Sequence, residues 1–228
     1  MAASIKVSKI LTDKVRLILQ DTGKVRWTDA ELVDWLNEAQ RVIAEVKPNA
    51  TAATSNVSLV AGTKQSITGI ALLDAIRNMG ADGLTPGSTI RCLKRDVLDT
   101  IIPGWHTEPA AAQVLIAAFD EQDQKVFYVF PPQPVNTAQK IEVIQSEYPA
   151  VIDVANITTA AISVDDIYEA QLVDYVCYRA FDKDSSIPSS TSLSQSHFQA
   201  FASALGIKSK AEVVNSPNMP AQPPAPQQ

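Results

Sequence analysis

The segment Trp27-Thr28-Asp29-Ala30-Glu31-Leu32 constrains the chain most, because it carries every part of a helix start. A Thr28 hydroxyl at the N-cap accepts from the backbone N–H of Glu31. The Glu31 carboxylate reaches back to the N–H of Thr28, which completes a capping box. Trp27, before the cap, packs on Leu32, after it, as a hydrophobic staple. Asp29 and Glu31 place negative charge at the positive end of the helix dipole. Behind this start, Leu32, Leu36, Ala39, Ile43 and Val46 form one apolar stripe at helical spacing. Lys47 sits at the negative end and Pro48 stops the run.

The same arrangement reads a second time at Ile162-Ser163-Val164-Asp165-Asp166-Ile167, with Ser163 as cap and the two isoleucines as staple. Two helix starts thus bracket a stretch of different character. The pattern predicts an α+β fold: an antiparallel helical bundle formed by both ends of the chain, an inserted small β-rich subdomain, and an extended C-terminal tail. The corresponding segments are 1–50 and 161–207 for the helical core, 51–160 for the insertion and 208–228 for the tail.

Within that frame, residues 4–20 read as a first helix, with Ile10, Leu11, Val15, Ile18 and Leu19 on one face and Lys9, Lys14 and Arg16 largely off it. A short loop after Gly23 makes the first two helices antiparallel neighbours. Asn49 to Ser55 reads as a connector. Val57, Leu59 and Ala61 then alternate, and Gln65-Ser66-Ile67 is expected to return on them as a hairpin. Residues 70–79 suit a helix turn or a strand. Further strands are expected at 89–93, 114–119, 126–130 and 141–144, with a helical turn at 96–99 and Pro131-Pro132 ending the strand at 126–130. The set amounts to a small sheet or sandwich. After Ser163 a helix carries Leu172, Tyr175 and Val176. Asp182 to Ser192 reads as a polar loop containing Pro188, and a last helix ends at Gly206. Beyond it, five prolines and no charge between Asn215 and Gln228 predict an extended chain.

Chemistry is sparse. His106 and Glu108 stand close in sequence, but His197 is the other of only two histidines, and a metal site needs several placed ligands. Asp165-Asp166 reads as helix capping. The serines 185, 186, 189 and 190 have no Gly-x-Ser-x-Gly elbow around them, and no glycine-rich phosphate loop is present. Cys92 and Cys177 lie far apart and read as small buried hydrophobes. The aromatics Tyr168, Tyr175, Tyr178, Phe181, Phe198 and Phe201 read as core, and Arg91, Lys94 and Arg95 as a solvated strand edge. No catalytic, metal or cofactor residue is identified, and an enzyme is not expected. A net charge of −6 argues against tight non-specific binding to nucleic acid. No apolar run approaches the roughly 20 residues of a membrane span, and Met1 to Lys6 lacks the pattern of a secretory leader. The product is expected to stay in the cytoplasm that makes it.

An ordered set of motifs resembles the phage head-to-tail adaptor (connector) proteins. It begins with Ile10-Leu11, Leu19-Gln20-Asp21, Arg26 to Leu32 and Trp35 to Gln40. It continues through Leu59 to Gln65, Phe127 to Pro132, Asp174 to Phe181, and His197-Phe198 with Phe201. The resemblance covers most of residues 5–207 and leaves the tail outside. It implies a structural virion protein, assembled in the host bacterial cytoplasm, that forms a ring, dodecameric in such families, beneath the portal. The ring would extend the channel through which genomic DNA passes and offer a platform to a tail or nozzle component. Val213, Val214 and Met219, the sizeable apolar side chains after Ile207, are the expected portal anchors. The alternative function is a small-molecule or glycan-binding module that uses the β-rich insertion as its binding sheet.

Overall fold

A computed structural model describes residues 5–120, 122–136, 138–184 and 188–215, the side chains of 188 and 207–215 excepted. The fold is mixed α+β, with two four-stranded sheets. The chain divides into two compact units. One holds Pro48–Ala150 with Ser163–Asp165; the other holds the described residues from Ile5 to Lys47, Val151–Ile162 and those from Asp166 onward.

In the second of these units, helix α1 (Val7–Ile10) runs through a π-helical turn, Leu11–Val15, into α2 (Arg16–Ile18). Helix α3 (Asp29–Val46) starts as its sequence requires. Glu31 N–H donates to Thr28 Oγ1 at 3.3 Å, and Thr28 N–H donates to Glu31 Oε2 at 3.0 Å. Trp27 and Leu32 are both buried, and the Trp27 indole N–H donates to the carbonyl of Ala180 at 3.3 Å. Helix α5 (Glu169–Lys183) is the common neighbour on which α1, the π turn, α3 and α6 (Pro188–Asn215) pack. A ladder of rings joins α5 to α6: Tyr175 meets Phe201, Tyr178 meets Phe198, and Phe181 stacks on His197. Numbers that rise along one helix fall along the other, so the pair is antiparallel. The Asn37 amide, buried in α3, donates to the Ile152 carbonyl at 3.0 Å and accepts its N–H at 2.9 Å, which fixes the passing strap 151–162.

Four expectations fail here for identifiable reasons. Arg16 is not on a polar face; it is 1% exposed. The π turn spends an extra residue per turn, which rotates everything after Val15. Leu17 and Ile18 therefore point outward, at 61% and 43% exposure, and Arg16 points in. The second capping box does not start α5. Its N-cap is Tyr168, reached through a 3-10 turn at Asp166–Tyr168, and Ile167 is 62% exposed, so no staple forms. Pro188 opens α6 instead of interrupting a loop, the first-turn position where a missing N–H costs nothing. Gly206 lies inside that helix, and 208–215 continue it, so this part of the expected tail is helical and not extended.

In the other unit, the strands are β1 (Ala52–Ser58), β2 (Gly62–Ser66), β3 (Ala71–Met79), β4 (Pro86–Thr89), β5 (Arg91–Lys94), β6 (Ile116–Asp120), β7 (Asp123–Gln133) and β8 (Lys140–Ser146). Helix α4 (Arg95–Ile101) follows β5. The sheet orders are β1-β8-β3-β4 and β2-β7-β6-β5, antiparallel throughout except for β5 beside β6. One apolar core serves both sheets: Ala75, Ile141 and Val143 come from one, and Ala117, Phe127 and Val129 from the other.

The connector expected at Asn49 to Ser55 is a 3-10 turn (Pro48–Thr51) leading into β1. No hairpin forms between β1 and β2, since the chain changes sheet between them. The buried Gln65 amide makes this corner possible. Its oxygen accepts the Val60 N–H and its nitrogen donates to the Val60 carbonyl, both at 2.8 Å, supplying the partners that no strand does. The prolines 131 and 132 do not end β7, because they fall in a register irregularity. Tyr128 pairs with Lys64, but Gln133 pairs with Gly62, so the prolines occupy residues left over between the two pairs.

Candidate functional site

Several candidate residues from the sequence are taken up by local structure. His106 stacks on the buried Trp105 at 3.7 Å, and its Nδ1 lies 2.9 Å from Thr63 Oγ1. The Trp105 indole N–H donates to Asp99 at 2.8 Å. Glu108 is exposed. This is a packing cluster around a 3-10 turn and not an acid-base pair. Asp166 Oδ1 accepts the Ile5 N–H at 3.2 Å, and the Ser163 hydroxyl accepts the Ala150 N–H at 3.0 Å. His197 meets Asp174 at 2.9 Å through Nδ1. Arg95 pairs with Asp120 at 2.8 Å. Ser185, Ser186 and Met219 lie outside the described residues, and Val213 and Val214 fall on the last turn of α6.

The surroundings of both cysteines disfavour the thiolate. Burial pushes both thiols up to about 12, and the neighbouring carboxylates Asp74 (for Cys92) and Asp174 (for Cys177) push the same way. A thiol held that high is not a thiolate at neutral pH. Among the described residues no cluster of three or more His, Cys, Asp or Glu side chains is placed to hold a metal. Nor is any helix there long and apolar enough to cross a membrane.

What the sequence reading missed is a charged knot beneath the loop before α3. Arg16 Nη1 donates to the Asp21 carbonyl (3.1 Å), Asp21 Oδ2 (3.2 Å) and the Trp27 carbonyl (3.2 Å), while Nη2 donates to the Trp27 carbonyl and to Asp29 Oδ1 (2.6 Å). Asp21 in turn accepts the backbone N–H groups of Val25, Arg26 and Trp27. Those bonds, the Trp27 one foremost, hold its carboxyl below the usual range. Asp29 is lowered by its bond from Lys24 and then by Arg16, and Glu31 by Lys183 of α5 and then by the Thr28 N–H. Only the Asp21-to-Trp27 spacing around a turn hinted at this, since a periodicity reading places Arg16 in solvent.

Two surface features accompany this framework. A groove of about 390 Å³ runs between α2 and α5, lined by Leu17, Ile18 and Val173 with Asp13, Lys14 and Asp174 at its rim. The β-containing unit has a cavity of about 350 Å³ at the start of β1, lined by Ala50, Ala52, Ala53 and Glu147 among others. The groove is lined mainly by apolar side chains, while the cavity also carries Thr51, Tyr148, Ser163 and Asp165, the Ser163 hydroxyl already accepting from Ala150.

Comparison with known families supplies the class: a phage structural adaptor, a component of the virion. The chain belongs to the SU10 adaptor protein family, whose model matches residues 6–221. That match passes residue 207, where the resemblance read from motifs stops. No curated protein matches the chain.

Proposed function

We propose that this adaptor works between head and tail: copies close into a ring, dodecameric as the resemblance implies, beneath the portal protein. The ring extends the DNA channel and presents a docking platform to a tail or nozzle component. The family match over residues 6–221 is the observation that carries the reading. In this reading the helical segments 1–50 and 161–207 act together as a stiff antiparallel bundle, and 51–160 is the β-rich insertion. Closed rings require heterologous contacts, with one face of each copy meeting a different face of the next. The net charge of −6 supports passage of genomic DNA without sequence-specific binding, because like charge discourages adhesion.

The C-terminal segment 208–228 is the proposed docking arm, with Val213, Val214 and Met219 as its anchors on the portal. Deleting 208–228 tests this assignment when folding and portal binding are measured separately. Lost binding with an unchanged melting midpoint is the expected result. Full binding by the shortened chain would remove the arm from the reading.

A further inference from the structure

Sheet edges expose unpaired backbone groups, and folded proteins normally protect them with proline, charge, bulges or brevity. Three of the four edges here are protected. Strand β4 has four residues, begins with Pro86-Gly87 and shows a register irregularity. Strand β2 is irregular and exposes Lys64. Strand β5 has four residues with Arg91 and Lys94 exposed, and its Cys92 thiol donates to Asp74 and to the Ala75 carbonyl of β3. Strand β1 has none of these devices. Its seven residues, Ala-Ala-Thr-Ser-Asn-Val-Ser, carry no charge and no proline, and they pair with β8 in unbroken register.

The direction of its free groups follows from two bonds. Glu147 N–H donates to the Thr51 carbonyl, and Leu59 N–H donates to the Gln139 carbonyl. In an antiparallel ladder such pairs alternate, so Ala53, Ser55 and Val57 bond to β8. The N–H and C=O of Ala52, Thr54, Asn56 and Ser58 therefore point away from the sheet, and among the described residues no strand pairs with them.

We propose that β1 is a self-pairing edge: in the free protein, two copies join antiparallel through β1 about a two-fold axis at Ser55. The outward residues are symmetric about that position. Thr54 of one copy then faces Asn56 of the other, and Ala52 faces Ser58, each pair exchanging both backbone bonds. Ala53 faces Val57, and no like charges meet. A second observation falls on the axis itself. The Ser55 hydroxyl is buried with no hydrogen-bond partner among the described residues, and buried hydroxyls normally have one. In this register Ser55 stands directly opposite Ser55 of the second copy at a closely spaced, non-bonded position, where a turn of the side chain about χ1 lets one hydroxyl supply the other's partner.

The chain's own end does not fit the edge. Prolines at 217, 220, 223, 224 and 226 leave no four alternate N–H groups in a row between 216 and 228. An isologous pair of this kind differs from the heterologous contacts of a closed ring, so it describes the unassembled protein.

The test is sedimentation of the full chain alone over a concentration series, with Thr54→Lys and Thr54→Pro alongside. Both substitutions fall at an exposed residue whose N–H faces outward, and each destroys an open edge. The wild type is expected to rise toward twice 24.6 kDa. Both variants should stay at the monomer mass with unchanged melting midpoints, and Thr54→Lys serves alone if the proline variant folds poorly. In a Cys92→Ser background, Ser55→Cys should form a disulfide-linked dimer under mild oxidation and Asn56→Cys should not. A wild type that stays monomeric, a dimer that survives Thr54→Lys, or equal cross-linking at 55 and 56 would each overturn the proposal. No portal is present, so failure leaves the ring reading untouched.

Discussion

Replacing Arg16 with alanine isolates the least expected feature of the helical unit. The guanidinium serves two carbonyls and two carboxylates from a position closed to water. Removing one partner of a buried ionic cluster costs about 3–5 kcal/mol, chiefly through the charges left behind. The structure places this case at the lower end. Asp21 keeps three backbone N–H donors, and Asp29 keeps Lys24 at 2.6 Å. The Trp27 carbonyl loses both guanidinium bonds. The expected loss is therefore about 3 kcal/mol, or roughly 6–12 °C in melting temperature for a chain of this size. The chain has two compact units, so a single global transition is not assumed. Tryptophan fluorescence in a Trp105→Phe background reports the helical unit alone, because Trp27 and Trp35 both lie there. Urea melts by that signal should show the lower midpoint with an unchanged slope. Arg16→Lys should fall between the two, since a point charge cannot span the same set of acceptors. A loss below about 1 kcal/mol for Arg16→Ala would refute the reasoning and mean that the loop is held by other contacts.

The folded carboxyls of Asp21, Asp29 and Glu31 all lie below their ordinary values. Their contribution is thus complete above the unfolded range near pH 4 and is lost as pH falls through the folded values. Urea midpoints should be flat from pH 6 to 8 and fall in acid, less steeply for Asp21→Asn; an unchanged acid slope would count against the knot. Thr28→Ala should cost about 1 kcal/mol through loss of the N-cap, read as a lowered urea midpoint. Gly206→Ala should stabilise by about 0.5–1 kcal/mol, because Gly206 lies within α6 and a methyl group there meets nothing within 4 Å; a lower midpoint would argue against a continuous helix. Thiol titration at pH 8 should find Cys92 and Cys177 unreactive in the folded protein and both reactive in denaturant.

The parts of the fold legible from sequence were those with local causes. The capping box at Thr28 depends on six consecutive residues, and alternation was enough to place β6, β7 and β8. The failures have a common origin in interactions that sequence spacing does not encode. The π turn at Leu11–Val15 shifts phase without a marker residue, and so it hid both the burial of Arg16 and the exposed Leu17–Ile18 side of the groove. Ser163 has the letters of a cap, but its hydroxyl accepts from Ala150, a partner in another segment of the chain. The turn after β1 looked like a hairpin because nothing local reveals that the Gln65 side chain stands in for a strand. Gly206 and Pro188 were read as breakers, although Pro188 fits a first turn and a helix can tolerate one exposed glycine. For the candidate site, His106 packs on Trp105, a contact that no motif announces, while Glu108 stays exposed and Ser185 and Ser186 lie outside the described residues. The assembly surfaces depend on other copies and were out of reach of motif reading.

The most direct test of the central claim is an electron-microscopy image of the protein mixed with its portal. A single closed ring at the portal's narrow end, with each copy contacting its neighbours through two different faces, is the result expected. Monomers or two-fold dimers scattered on the portal, or no association at all, would contradict the head-to-tail role.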